Sequence, residues 1–160
     1  MDTGRVRLLN QCWQVLFAIL CALSYTLALA ESVQVENAWV RATVPGQRAT
    51  GAFMELIASE DTRLVSAITD YAGYAEVHEM HLDGDVMRMR AVPDGLALPA
   101  GQRVALRPGA LHLMLMELKK PVSKGSSVGM TLVFRNARGV EQRLAITLPA
   151  TMTAPTGAAR

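Results

Sequence analysis

The chain has 160 residues, with 16 Lys and Arg against 14 Asp and Glu (formal charge +2), 51% hydrophobic and only 5% aromatic residues. That is the size of one domain with a core of its own, too short for a multi-domain enzyme and too apolar for a disordered chain. A charge this close to zero, with no basic cluster, offers no footprint for nucleic acid.

Residues 1–30 read as an address. Arg5 and Arg7 precede an apolar run from Val15 to Leu23, and Ala28-Leu29-Ala30 stands just before Glu31. This is the basic, apolar and small-residue order of a cleaved secretory signal peptide. Leu20 stands before Cys21 where lipid attachment would need a small residue, so a lipid anchor is not expected. Removing 1–30 takes away Asp2, Arg5, Arg7 and both cysteines, Cys12 and Cys21, and leaves 130 residues at +1. The exported chain then has no thiol, which excludes disulfides, thiolate metal sites and thiol–disulfide exchange. The expected organisation is a leader at 1–30, one domain at 31–150 and a flexible tail at 151–160. No membrane contact is expected after cleavage, and the chain is expected to be exported.

From Val33 onward, short alternating runs are separated by turn residues. Val33–Glu36 and Ala38–Thr43 lead to Pro45-Gly46. Gly51–Ala58, Leu64–Thr69, Glu76–Leu82 and Val86–Val92 follow, then a loop region from Pro93 to Gly101. Gln102–Leu106, Leu111–Leu118, Val128–Phe134 and Val140–Leu148 complete the set. Eight or nine strands at this spacing, without a helical period, predict an all-β antiparallel sandwich or barrel.

The chemistry gathers in one stretch. His78, His81 and His112, all the histidines of the chain, fall within 35 residues, and Met80, Met87, Met89, Met114 and Met116 lie in the same region. In Leu111–Leu118, side chains alternate between faces, so Leu111, Leu113 and Leu115 suit a core. His112, Met114 and Met116 then point the other way. Asp83-Gly84 reads as a two-residue type I′ hairpin loop. In that register His78 is opposite Met89, Met80 opposite Met87, and Glu79 opposite Arg88. His81 falls on the reverse face, as a solvated histidine beside the turn. Any one of these methionines alone is more simply core packing. Imidazole and thioether together form a soft to borderline donor set that favours Cu(I) over Mg, Ca and Mn. Thioethers also survive outside the cytoplasm without forming disulfides.

Glu76-Val77-His78-Glu79, the run Val86–Arg90 and the run Gly109–Met116 resemble the periplasmic copper chaperone family PCuAC. That family's pattern is a His, ten residues, a Met, about twenty-one residues, then His-x-Met. Here ten residues separate His78 from Met89, 22 separate Met89 from His112, and His112-Leu113-Met114 closes the pattern. Asn37–Arg41 and Thr50–Met54 are similar to the family's opening strands. The resemblance implies a cupredoxin-like Greek-key sandwich holding Cu(I) through His78, Met89, His112 and Met114, with Cu(II) left open. It implies delivery to an apo copper acceptor, the binuclear centre of cytochrome c oxidase in subunit II, sometimes beside a second, thiol-bearing copper chaperone. Met80, Met87 and Met116 are expected to pack around the ligands, and Trp39 to sit in the core. An enzyme is not expected, since copper oxidases need more histidines than three. The rival readings are a copper buffer and an Ig-like assembly module without metal.

Overall fold

The computed structural model describes residues 32–155, and among these it holds ten strands and no helix. In chain order they are β1 (Val33–Arg41), β2 (Ala49–Ala58), β3 (Thr62–Ile68), β4 (Tyr74–Asp83) and β5 (Val86–Ala91). Then come β6 (Leu96–Leu98), β7 (Arg103–Leu106), β8 (His112–Met116), β9 (Ser127–Asn136) and β10 (Glu141–Thr151). One layer has the order β5-β4-β8-β2-β1, with β7 also pairing β2, and the other has β10-β9-β3-β6. The layers join through β1 and β10, the one parallel ladder among the named strands; the others are antiparallel. The expected all-β cupredoxin-like sandwich is therefore present. The leader expected at 1–30, and residues 156–160 of the expected tail, lie outside the described residues.

The core takes one face of each layer. Ala52, Met54 and Leu56 of β2, Val77 of β4 and Leu113 and Leu115 of β8 meet Leu64 of β3 and Met130, Leu132 and Phe134 of β9. Burying a leucine of this kind is worth roughly 1.5–3 kcal/mol, so the alternation is enforced wherever it feeds this core. The stretch Pro93 to Gly101, expected as loop, contains β6. Three residues are too few to show an alternation in sequence, yet Leu96 and Leu98 are buried against β3.

β1 departs from strict alternation. Its pairing with β2 shifts between Glu36 and Trp39, and Asn37 takes a left-handed backbone conformation with φ 53°. Such a bulge inserts one residue and reverses which face the following side chains occupy. Val33 belongs to the core before it and Val40 after it. Trp39 is buried as expected, at 2% exposed, but on the outer face, where it packs against Phe53 opposite it.

The bulge also serves the outer face electrostatically. Glu36 and Glu55 are directly opposed like charges, and Arg103 of β7 contacts both, at 2.6 Å to Glu36. Arg107 adds a second contact to Glu55 at 3.1 Å, and Asn37 Nδ2 donates to it at 3.2 Å. Burial alone raises the Glu55 carboxyl; the hydrogen bonds from Arg103, Arg107 and Asn37 outweigh it and hold the group below its ordinary value of 4.5. A carboxyl lowered by folding contributes stability above its unfolded value and loses it as pH falls through the folded one. Glu55→Gln is therefore expected to lower the unfolding free energy by about 1–3 kcal/mol at neutral pH. Urea titrations from pH 7 to pH 3 should show that gap closing in acid. A gap that stays constant across the range would assign the loss to packing instead.

Candidate metal centre

The site occupies the outer face of the first layer, where β8 lies between β4 and β2. Leu113 and Leu115 point into the core, so His112, Met114 and Met116 point out. On β4 the same parity sends Val77 inward and Glu76, His78 and Met80 outward. His78 and His112 are directly opposite each other across β4 and β8, with ring centroids 6.1 Å apart. Neither is solvent-swept: the His78 side chain is 13% exposed and His112 is 7% exposed.

The hairpin turns one residue later than expected. Gly84-Asp85 is the loop, His78 is opposite Ala91, Glu79 opposite Arg90, Met80 opposite Met89 and Leu82 opposite Met87. Gly84 has φ 62°, while Asp85 is not among the residues with positive φ. This is the pattern of a type II′ loop, which wants glycine first, rather than the type I′ loop that Asp-Gly suggests. The correction moves each partner by two residues, so no side chain changes face. Glu79 finds Arg90 at 3.1 Å instead of Arg88, and Arg88 pairs with Asp83 at 2.7 Å. His81 is on the reverse face as expected, but half-buried, with its Nδ1 buried and unpartnered.

Met89 nevertheless reaches His112. Although it is registered with Met80, its Sδ lies 3.1 Å from His112 Nε2. The hydrogen positions follow from the partners. His112 Nδ1 faces the carbonyl oxygen of Ala110 at 2.9 Å, and a carbonyl can only accept, so Nδ1 carries the proton. In the neutral ring Nε2 is then a bare lone pair, and it points at a thioether that has no hydrogen to give. His78 repeats the logic: Nε2 is 3.2 Å from Glu76 Oε2, and Nδ1 is buried with no partner. Each imidazole thus ties one N–H to an oxygen and leaves the other nitrogen free, as metal-binding histidines do. Two lone-pair donors face to face, and a third buried and unmatched, fit a soft cation.

A cavity of about 260 Å³ opens on this face, lined by Met80, His112, Met114, Phe53, Gly51 and Arg41 among others. Met114 is registered between Glu76 on one side and Gly51 on the other. Four predicted residues are thus brought to one face: His78 and His112 as a direct pair, Met89 against His112, and Met114 beside His112 in the cavity. Met80, expected only to pack, lines that cavity too. Among the described residues no group of three or more His, Cys, Asp or Glu is placed to hold a metal ion. A larger opening of about 610 Å³, lined by Leu64, Val77, Val92, Leu113 and Arg135 among others, contains neither histidine nor methionine.

Phe53 walls one side. Its ring is 6.4 Å from that of His112 and 4.4 Å from that of Trp39, and the Arg41 guanidinium lies 5.4 Å above it. The ring lies across Gly51, where a Cβ would come within 2.7 Å of it. Sequence reasoning missed this wall because the bulge at Asn37 hides the true face of Trp39.

Comparison with known proteins gives a consistent picture. Residues 33–146 match the model of a protein family described as LpqE-like, "Putative lipoprotein LpqE-like". "Putative lipoprotein Lxx21020" of Leifsonia xyli subsp. xyli is 33% identical over 105 residues, 66% of this chain and 63% of that protein. The match thus spans less than two thirds of that relative's length. The solution structure of CuI-DR1885 from Deinococcus radiodurans is similar with a TM-score of 0.61 at 26% identity, over 85% of this chain and 89% of that one. The copper-bound PCuAC domain from PmoF2 gives a TM-score of 0.60 at 22% identity, over 76% and 94%. At that identity the likeness is one of fold.

Gly51→Ala is expected to push the Phe53 ring off its seat and cost about 1–3 kcal/mol, as overpacking does. Urea unfolding measures the cost, and a shift of the His112 ring resonances reports the displaced wall. Unchanged His112 resonances would separate Phe53 from the site.

Proposed function

The chain belongs to the LpqE-like family, and on that premise we propose that it is an exported copper chaperone that carries Cu(I) on His78, Met89, His112 and Met114. The observation that carries the reading is the pair of tautomer-locked imidazoles, one of which presents its bare nitrogen to the Met89 sulfur at 3.1 Å. Supporting it, one similar structure is named for its bound Cu(I) and another as copper-bound.

Thioether and imidazole donors favour Cu(I) over harder ions, and Cu(II) is the weaker fit. All four donors are neutral, so the ligands themselves do not cancel the cuprous charge, and the nearest carboxylate, Glu76, acts through His78. Binding of this kind carries the ion without sequestering it, and the site binds and releases its cargo rather than turning over a substrate. Export rests on the signal-like residues 1–30 and agrees with a family described as lipoproteins. With Leu20 before Cys21, we propose the cleaved, unanchored form in the periplasm. The acceptor we propose is an apo copper protein, subunit II of cytochrome c oxidase, with a second, thiol-bearing chaperone alongside.

Titrating the purified protein with Cu(I) against a competing chelator tests this. Wild type is expected to bind one ion, and His78→Ala and Met114→Ala to lose roughly 10–100-fold in affinity. Full-strength binding by both variants would overturn the ligand assignment, and no binding by wild type would favour the metal-free assembly module.

A further inference from the structure

The donors of the outer face continue past the proposed site in a fixed order. His78 opposite His112 is the last pair that β4 makes with β8, and beyond it β4 has only β5 beside it. Met80 with Met89 forms the next row of that face, and Leu82 with Met87 the row after, at the hairpin tip. Rows on one face are two residues apart, about 7 Å along the strand. Met89 turns back toward His112 and Met80 lines the cavity, so both belong with the proposed site. Met87 does not. It is 52% exposed, opposite Leu82 at 65%, on an edge strand whose six residues are all exposed.

The two faces of the hairpin differ in charge. The reverse face carries Glu79, Asp83, Arg88 and Arg90, which neutralise one another in the pairs Asp83–Arg88 and Glu79–Arg90. Beyond His78 the site face of the two strands is Met80, Leu82, Met87 and Met89, all uncharged, with the exposed Asp85 in the loop at the tip. An exposed apolar face continuous with a metal cluster fits a partner, because a charged surface docked there would lose hydration with nothing in return.

We infer that Met87 is an exit ligand, and that the site face of the β4–β5 tip is where a copper acceptor docks, presenting its own soft donors from an uncharged rim. The inference rests on the copper-carrying reading above. Transfer is a ligand exchange: the copper–sulfur bond to Met89 breaks as one to Met87 forms. Both thioethers are neutral, so no proton or electron moves and the copper stays cuprous. The acceptor's donors then displace Met87, and a cysteine donor gives up its proton to solvent as it binds. Met87 is absent from the resting site but is the outermost sulfur of the face, so its loss should affect the handover and leave the holding intact.

The test compares Cu(I) transfer from the loaded protein to two acceptors, an apo protein with a two-cysteine copper site and the small chelator bicinchoninate. Met87→Leu is expected to keep the wild-type Cu(I) affinity and its rate to bicinchoninate, while transfer to the protein slows roughly tenfold. Adding Leu82→Met, which returns a thioether to the same row on the neighbouring strand, should restore the rate. An unchanged rate to the protein acceptor, equal slowing to both acceptors, or a loss of affinity in Met87→Leu would each overturn the inference. Wild type is measured first, so failure to bind Cu(I) at all is recognised separately as failure of the underlying reading.

Discussion

A strand in a two-layer sandwich can bury only one of its faces, and the candidate site is built on the face left over. In β8 the leucines at 113 and 115 are committed to the core, so the histidine and methionines between them have no choice of direction. Val77 sets the direction of His78 on the neighbouring strand in the same way. The core therefore positions the donors, although none of the donors belongs to it. Their convergence costs no packing, since the side chains that hold the sandwich together are the alternate ones.

Parity explains why the site tolerates a shifted turn. Placing the loop at Gly84-Asp85 instead of Asp83-Gly84 moves every cross-strand partner by two positions, and a shift of two keeps each side chain on its own face. Met89 loses His78 as its direct partner yet meets His112 through the length of its own flexible side chain. A shift of one would have sent Met87 and Met89 to the reverse face, among Glu79, Asp83 and the arginines. Only glycine occupies the first position of this turn without strain, so Gly84 holds the sulfurs on the correct side.

The electrostatics of the outer face divide into two zones. Around Glu55, a buried carboxylate is matched by the exposed guanidinium groups of Arg103 and Arg107. Around His112 the donors are neutral, and the nearby Arg41 cation is laid over an aromatic ring. The bulge at Asn37 separates these zones. It supplies a hydrogen bond to Glu55 on one side and, by reversing parity, delivers Trp39 to the Phe53 wall on the other.

Much of this was legible in the residues alone. Alternation in Leu111–Leu118 identified both the core leucines and the outward donors, and the crowding of His and Met between His78 and Met116 marked the chemistry. Turn type was less legible, since Asp83, Gly84 and Asp85 offer two adjacent loops, and β6 was hidden by its three-residue length. The sequence by itself determined which side chains share a face, because the strand period of two is local and survives any even change of register. Only the tertiary structure decided which faces meet, that His78 pairs with His112, that Met89 bends across to it, and that Trp39 is buried against Phe53 on the outer face. Those outcomes depend on the order of strands in the sheet and on one inserted residue, and neither is written in the local pattern.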